Sequence, residues 1–238
     1  MLGRFLELSL GTPDIQASLH FYGKLGFSQA EVGEAWTHPY AVVTDGRICV
    51  GLHQREHFTP GVTFVRPDLL KHLHVLEGLG VRFEFRHLGN HVFNEVGWLD
   101  PSGNLIRVVE ARTFSPSKRP SLEVSSCGYF TEIALPAPNL AAAKEYWERF
   151  GFVGMDEPDA PLPHITCTSD TVDIGLYEPS HVQEPTLLFE VDDFGAAAAA
   201  LDALGLASGR LPTPLRGTSA AILNAPEGTP LLLSAAPA

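Results

Sequence analysis

The stretch LELSLGTPDIQASLHFYGKLGF, residues 6–27, returns later in the chain as TEIALPAPNLAAAKEYWERFGF, residues 131–152. A separation of 125 positions aligns Glu7 with Glu132, and it also aligns the proline and the closing Gly-Phe pair of each stretch. The same separation, without a gap, connects the turns that follow and a Pro-x-Gly turn near the end of each half. Such a register, held over roughly a hundred residues, predicts tandem duplication of a folding unit.

Composition supports two domains with real cores, since the chain has 238 residues of which 45% are hydrophobic. The formal net charge of −12 opposes binding to nucleic acid or to an anionic membrane surface. Three cysteines without a C-x-x-C spacing indicate neither a disulfide framework nor a cysteine zinc site. No apolar run reaches the length of a membrane span. We therefore expect a cytoplasmic protein with no nucleic-acid partner and no membrane segment.

Periodicity divides each half into two similar units. The alternating run RFLELSL predicts a strand, after which Thr12 and Pro13 are typical of a helix start. Strand-like runs then fold about the turn signals Asp45-Gly46 and Ser169-Asp170. The order strand, helix and three strands recurs within each half, which predicts four such units. We expect the domain organisation to be a first module, a Pro- and Ser-rich linker and a second module, at residues 1–114, 115–126 and 127–238.

Three segments of the first half carry a family resemblance: DIQASLHFYGKLGF, VRPDLLKHLHVLEGLGV and LDPSGNLIRVVE. They resemble the vicinal oxygen chelate superfamily, which contains glyoxalase I, bleomycin-resistance proteins and extradiol ring-cleaving dioxygenases. The DP-x-G-N turn is the most specific piece. The resemblance implies an α+β fold of two tandem glyoxalase-like modules, each a pair of βαβββ units that form a curved mixed sheet around a cupped ligand site.

The resemblance also implies where a metal ion would bind. Metal-using members take one ligand from the first strand of a module, one from the fifth and a glutamate from the eighth, since a divalent ion needs several converging donors. Glu7 and Glu132 keep the first position. The other positions fall on residues that are not strong ligands: residues 61–63 and Arg107 in the first module, and residues 186–187 and Leu232 in the second. We therefore expect no bound metal and no cofactor.

Arg107 places a cation where the family has a carboxylate. We expect it to pair with Glu7 across neighbouring strands, in which case Arg107→Leu would lower stability by roughly 3–5 kcal/mol. The alternative is that Arg107 awaits an anionic ligand. For Glu132, two interpretations stay open: a partly solvated strand carboxylate, or a hydrogen-bond acceptor for a ligand.

The lead hypothesis is a protein that has lost the metal triad and binds or sequesters a small, largely apolar molecule. Aromatic side chains would line the first cup, as apolar ligand sites require. Glu7, Arg107 and Glu132 complete this candidate site together with two histidines. One, His53, begins an H-x-x-E-H match that is too short to form a helix, and the other is His91. The candidate aromatic residues are Trp36, Tyr40 and Phe93, with Phe85 and Trp98 as further possibilities.

Two other classes of function stay open. The first is a metal-dependent lyase or dioxygenase, in which Glu7 and a displaced ligand such as His53 or His91 hold one divalent metal ion that acts as a Lewis acid. The second is a structural or partner-binding module, because a fold does not determine a function. We expect a small molecule as the main partner. The chain would be either a monomer with an internal pseudo-dimer or a homodimer.

Overall fold

The structure is a computed structural model that describes residues 2–31, 36–90, 93–111, 125–157, 162–206, 209, 211 and 215–236. The first half contains β1 (Arg4–Gly11), α1 (Ile15–Lys24), β2 (Ser28–Ala30), β3 (Tyr40–Thr44), β4 (Cys49–His53), β5 (Gly61–Arg66), α2 (Leu69–Gly78), β6 (Phe83–His87), β7 (Glu95–Leu99) and β8 (Leu105–Glu110). The second contains β9 (Tyr129–Pro136), α3 (Leu140–Arg149), β10 (Val153–Glu157), β11 (His164–Thr168), β12 (Asp173–Tyr177), β13 (Thr186–Val191), α4 (Phe194–Ala203), β14 (Ala220–Asn224) and β15 (Pro230–Ala235).

The two halves form two mixed sheets with the same strand order. The first sheet runs β2-β3-β4-β1-β5-β8-β7-β6, and the second runs β10-β11-β12-β9-β13-β15-β14. In both, the first strand of the half lies parallel to one neighbour and antiparallel to the other. The predicted α+β fold of two modules is confirmed. A counterpart of β6 would fall at residues 207–214, which lie largely outside the described residues.

The module boundaries stay a prediction. Most of the expected linker, residues 115–126, lies outside the described part of the chain, which resumes at Ser125. There Ser125 and Gly128 form an isolated bridge just before β9 begins.

Short polar side chains start the helices. Asp14 caps α1, because its Oδ1 accepts hydrogen bonds from the backbone N–H groups of Gln16 and Ala17 at 2.9 and 3.1 Å. The prediction that Thr12 caps this helix is wrong by two residues, since the Thr12 hydroxyl bonds to the Ser18 hydroxyl at 2.9 Å instead. Within the described residues each helix has ten residues, and none is long and apolar enough to cross a membrane.

The repeat contains a one-residue shift that the ungapped alignment missed. Leu8 on β1 pairs with Val50 on β4, whereas Ile133 on β9, the match of Leu8, pairs with Ile174 on β12. Val50 and Ile174 are 124 positions apart, so the β3–β4 and β11–β12 hairpins are offset by one residue from the rest of the repeat. At β5 and β13 the pairing restores the separation of 125. The ungapped alignment is therefore wrong across this hairpin.

One face of each sheet packs into a core that both modules share. The buried cluster combines side chains from the two sheets and from α1, α2, α3 and α4. Phe27 and Phe64 meet Phe189 and Phe152 of the other module edge to face, with ring centroids 6.4 Å apart in each pair. Since side chains alternate along a strand, the opposite face of each sheet carries Glu7 or Glu132 and is available for a site.

Candidate functional site

Glu7 and Glu132 occupy matching positions at the centres of the two sheets. Glu7 is only 1% exposed and Glu132 only 4%. Each carboxylate lies over a glycine of the neighbouring strand: a Cβ on Gly51 would come within 2.1 Å of the Glu7 carboxylate, and one on Gly175 within 2.2 Å of Glu132 Oε1. The two glycines therefore make the space that these buried carboxylates fill.

Glu7 is held by hydrogen-bond donors from three strands. Its carboxylate accepts from the Ser9 hydroxyl at 2.6 Å, from the Tyr40 hydroxyl, and from His53 Nε2 at 3.2 Å. Because the hydrogen of Ser9 points to Glu7, Thr63 must donate to Ser9 across their 2.7 Å contact. Burial and the Glu7 charge raise the pKa of Tyr40 well above its ordinary value. These donors satisfy a carboxylate that would otherwise be costly to bury.

A second histidine extends this network toward the surface. A carboxylate only accepts hydrogen bonds, so His53 donates to Glu7 through Nε2, while its Nδ1 shares a hydrogen bond of 2.9 Å with His38 Nε2. His53 is fully buried, while His38 is half-buried and has its pKa lowered, first by burial and then by the neighbouring His53. The chain from His38 through His53 to Glu7 is thus a continuous hydrogen-bonded path between the surface and the buried carboxylate.

Glu132 has two hydrogen-bond donors and a histidine ring close by. It accepts from the Tyr177 hydroxyl at 2.6 Å and from the Thr166 hydroxyl at 3.0 Å, and His164 Nε2 lies 3.3 Å from its Oε1. Here Nδ1 of the histidine donates to the carbonyl of Leu162 at 2.7 Å rather than accepting from a second histidine. Burial raises the pKa of Glu132, although His164 and Tyr177 oppose the rise. Of the two interpretations of Glu132 from sequence, partial solvation is wrong.

The two clusters use the same residue types in exchanged places. Tyr40 on β3 pairs with His53 on β4, whereas His164 on β11 pairs with Tyr177 on β12. The histidine and tyrosine rings lie 4.6 Å apart in the first pair and are stacked at 4.4 Å in the second. Both modules therefore keep a carboxylate, a histidine and a tyrosine together, but the histidine and the tyrosine have exchanged strands.

Arg107 lies on the same face as Glu7 but does not pair with it. Thr63 is the direct neighbour of both residues, on β5 between β1 and β8. The carboxylate near Arg107 is Glu95, whose Oε2 is 3.6 Å from Arg107 Nε. The expected Glu7–Arg107 ion pair is therefore wrong, because Ser9, Tyr40 and His53 already occupy the Glu7 oxygens. The predicted cost of Arg107→Leu by stranding Glu7 loses its basis.

The Arg107 guanidinium is buried and incompletely satisfied. The side chain is 7% exposed, and neither Nε nor Nη1 has a hydrogen-bond partner among the residues that the structure describes. Its Cζ lies 4.6 Å from the ring centre of Phe58 and 5.8 Å from that of Phe85. Burial lowers the pKa of Arg107, while the nearby Glu95 and Glu7 carboxylates oppose the change.

We call the face of the first sheet that carries Glu7, His53, Thr63 and Arg107 the first cup. Aromatic rings from the adjoining loops cover the Glu7 end of it. Trp36 is 5.0 Å from both His53 and Phe93, measured between ring centres, and Phe58 stacks on His53 at 4.3 Å. Trp36, Tyr40 and Phe93 are half-buried.

Two residues suggested for the first cup are not placed there. Trp98 lies in the shared core, where its Nε1 donates to the Tyr146 hydroxyl of the other module at 2.6 Å. The suggestion that Trp98 lines the cup is therefore wrong. His91 lies outside the described residues.

The corresponding face of the second sheet is apolar where the first is charged. Leu188 and Leu232 stand at the positions of Thr63 and Arg107, and both are 3% exposed within a separate buried cluster that includes Leu162 and Leu215. A cavity of about 540 Å³ borders this cluster. The second module therefore keeps the carboxylate cluster but has no cation at the position of Arg107.

The residues at the inherited metal positions do not fit a divalent ion. Glu7, Thr63 and Arg107 are neighbours on adjacent strands, so their side chains converge, but one is a hydroxyl and one is a buried cation. The Glu7 oxygens already accept three hydrogen bonds. Across the part of the chain that the structure describes, no group of three or more His, Cys, Asp or Glu side chains is placed to hold a metal.

Several site residues escaped prediction from the sequence. The polar residues Ser9 and Thr63 share a face with Glu7, and the alternation of β1 was the signal that could have found Ser9. The pair His164 and Tyr177 was hidden by the ungapped alignment, which matched other residues to Tyr40 and His53. The remaining residues come from loops or from distant strands, for which no local pattern exists: His38, Phe58 and Glu95.

Comparisons with solved structures agree on the fold. Catechol 2,3-dioxygenase aligns with a TM-score of 0.59 at 16% identity, over 99% of this chain and 89% of that chain. The 2,3-dioxygenase LapB from Pseudomonas sp. KL28 gives 0.63 at 16% identity, over 100% and 94%. An extradiol ring-cleaving dioxygenase from Brevibacterium fuscum gives 0.63 at 16%, over 97% and 71%.

By sequence, no protein-family model and no curated protein matches the chain. At these identities the similarity of structure concerns the fold alone. The chain has the two-module fold of the extradiol dioxygenases.

Proposed function

We propose that this protein binds and sequesters a small, largely apolar molecule in the first cup, and that it does so without a metal ion. The observation that carries the proposal is the buried Arg107 cation, which stands beside Glu7 and Thr63 where a metal ligand would be required. A fixed positive charge opposes a divalent cation at short range, and the low dielectric of a buried site screens this repulsion poorly.

The lining of the first cup supports a binding role. Ligand sites combine apolar and aromatic walls with a few polar groups that fix orientation. Here Trp36, Phe58 and Phe93 supply aromatic walls that are half-buried, so that part of each ring remains accessible. Glu7 and Arg107 supply the polar floor, and both are at most 5% exposed. We expect the ligand to replace the remaining water over these rings.

A metal-dependent lyase or dioxygenase is the second candidate, and one observation favours it. His53 Nε2 lies 3.2 Å from Glu7 Oε1, so two ligand types lie together in the first cup. Both groups, however, are already engaged: His53 bonds to Glu7 and His38 through its two nitrogens. A metal would have to displace these bonds and also overcome the repulsion from Arg107, which is why we prefer the binding function.

Calorimetric titration of tag-free protein with Zn²⁺, Ni²⁺, Mn²⁺ and Fe²⁺ tests the proposal. We expect no stoichiometric site of micromolar or tighter affinity, because each module keeps one carboxylate at the inherited metal positions, where about three donors are needed. The double variant Thr63→His with Arg107→Glu is the matched positive control, since it supplies the two missing donors beside Glu7 and should gain metal binding. A tight site in the unaltered protein that disappears in Glu7→Gln or Glu132→Gln would favour the enzyme instead.

A further inference from the structure

We infer that the ligand of the first cup is a flat molecule with a carboxylate group, and that Arg107 binds this carboxylate. The inference rests on the proposed binding function and goes beyond it by assigning the charge and shape of the ligand. It follows from the hydrogen bonds that Arg107 lacks, from the rings that surround it, and from the difference between the two modules.

Arg107 retains unused hydrogen-bond donors inside the cup. Nε and Nη1 are buried, and no described residue accepts a hydrogen bond from either. Together these two nitrogens carry three N–H bonds. Buried polar groups are nearly always paired, and an unpaired buried cation is costly. An acceptor that arrives with a ligand removes this cost, and a carboxylate is the acceptor that matches a guanidinium best.

Glu95 compensates the charge of Arg107 without accepting a hydrogen bond from the Arg107 N–H groups. The Glu95 Oε2 to Arg107 Nε distance of 3.6 Å is within ion-pair range but too long for a hydrogen bond. The other Glu95 oxygen bonds to His87 Nδ1 at 2.7 Å. Glu95 therefore makes the buried cation tolerable and leaves the N–H groups of Nε and Nη1 available to a ligand. This arrangement favours a single anionic group over a larger cluster of negative charge.

The surroundings of the guanidinium favour a flat, apolar ligand body. The ring centres of Phe58 and Phe85 lie 4.6 and 5.8 Å from Arg107 Cζ. Glycines make room for both residues: a Cβ on Gly11 would come within 2.7 Å of the Phe58 Cβ, and one on Gly97 within 2.3 Å of the Phe85 ring. A carboxylate on a planar group would contact the guanidinium while its ring packs against these walls.

The second module supplies an internal contrast. Leu232 replaces Arg107 there, and Leu188 replaces Thr63, while the carboxylate cluster around Glu132 is retained. The carboxylate cluster is thus common to both modules, and the free cation is present at this position in the first alone. Net charge cannot explain attraction of an anion, because the whole chain carries −12. We therefore assign selectivity for an anion to Arg107.

Matched pairs of probes test this inference: benzoate with benzamide, cinnamate with cinnamamide, and 1-naphthoate with 1-naphthamide. Binding is measured by quenching of tryptophan fluorescence, to which the half-buried Trp36 contributes, and by the NMR signal of the Arg107 Nε–H group. We expect each carboxylate to bind about 10- to 100-fold more tightly than its amide, as charge-assisted hydrogen bonds predict. The Nε–H signal should shift with the carboxylates.

Variants assign the selectivity to one residue. Arg107→Met should remove the preference for carboxylates, and Arg107→Lys should keep part of it because the charge remains. Arg47→Met is the control, since Arg47 is an exposed arginine of the same module that lies over Tyr129. It should bind as the unaltered protein does. If Arg107→Met does not fold, Arg107→Lys and the Nε–H signal of the unaltered protein still test whether Arg107 binds the carboxylate.

The outcomes separate the inference from the proposed function. Equal binding of amides and carboxylates, with quenching of tryptophan fluorescence but no shift of the Nε–H signal, would overturn the inference and leave the binding function standing. A panel in which neither member of any pair binds would overturn both. Selectivity for carboxylates that survives in Arg107→Met would assign the anion site to another residue and thereby reject the role of Arg107.

Discussion

Two glycines, which have no Cβ, leave the space in which the buried carboxylates of this protein lie. Gly51 and Gly175 face Glu7 and Glu132 across adjacent strands. Three donors hold the Glu7 carboxylate and two hold that of Glu132, so a shift of either carboxylate would weaken these bonds. Arg107 of the first module and Leu232 of the second occupy matching positions. One is a cation and the other is apolar, and this difference gives the two modules different chemistry.

Gly51→Ala should destabilise the protein by about 1–3 kcal/mol, the usual cost of overpacking a core. The added Cβ would come within 2.1 Å of the Glu7 carboxylate, which must shift and weaken its bonds to Tyr40 and His53. Urea unfolding measures the effect.

Gly23→Ala is the matched control for this experiment. Gly23 lies in α1, and a Cβ there meets no atom within 4 Å in the described structure. The substitution should raise stability by about 0.5–1 kcal/mol, because alanine is the better helix former. Equal stabilities for Gly51→Ala and the unaltered protein would show that Glu7 is not confined by Gly51.

At the scale of elements, the β3–β4 and β11–β12 hairpins show how a duplicated unit keeps a cluster while changing its parts. The first hairpin places tyrosine before histidine and the second places histidine before tyrosine, at paired positions. Paired residues on neighbouring strands point to the same face. Either order therefore delivers both side chains to the central glutamate.

Because the second module has histidine and tyrosine in the opposite order, we predict that Tyr40 and His53 of the first module can be exchanged with each other. Tyr40→His and His53→Tyr should each destabilise the protein, because each alone leaves Glu7 with two like partners. The double variant should lose less than the sum of the two, with a coupling free energy of about 0.5–3 kcal/mol. Urea unfolding of the four proteins in the cycle measures this coupling.

A control cycle pairs Tyr40→His with Tyr177→His, which lie on different sheets. Their effects should add, as expected for sites without shared contacts. Additive effects in the Tyr40 and His53 cycle as well would contradict the idea that these two positions act as one unit.

At the scale of the whole molecule, the two modules are not independent. Their shared core joins both sheets and α1, α2, α3 and α4, and side-chain hydrogen bonds cross between the modules. Trp98 donates to Tyr146, and the Tyr22 and Ser18 hydroxyls donate to Glu227 at 2.8 and 2.7 Å. Separation would expose this core to water, at a cost proportional to the apolar area.

We therefore predict that both modules unfold in one transition. Two variants are made in a Trp98→Phe background, and each keeps one of the other two tryptophans. The fluorescence of Trp36 reports on the first cup, and that of Trp147 reports on α3. Their urea midpoints should coincide with each other and with circular dichroism, as a two-state transition requires. Tyr146→Phe in the unaltered protein leaves Trp98 Nε1 unpaired. It should lower the free energy of unfolding, followed by circular dichroism, by about 1–3 kcal/mol while the unfolding remains one transition. Two resolved midpoints would show that the modules fold separately.

The sequence by itself determined the duplication, the α+β class and the position of the central glutamates. These follow from local periodicity and from a separation of 125 that spans most of the chain. It also identified Arg107 as a residue unsuited to a metal site, because that conclusion needs the residue type alone.

The tertiary structure decided which side chains meet. The partner of Arg107 turned out to be Glu95 rather than Glu7. The donors of Glu132 turned out to be Tyr177 and Thr166, with His164 beside the carboxylate. The physical reason is that pairing between strands fixes which residues share a face, and a register shift of one residue changes every such pair. Sequence periodicity gives the face of each strand but not its register against a distant neighbour, so the contacts of the site could only come from the folded chain.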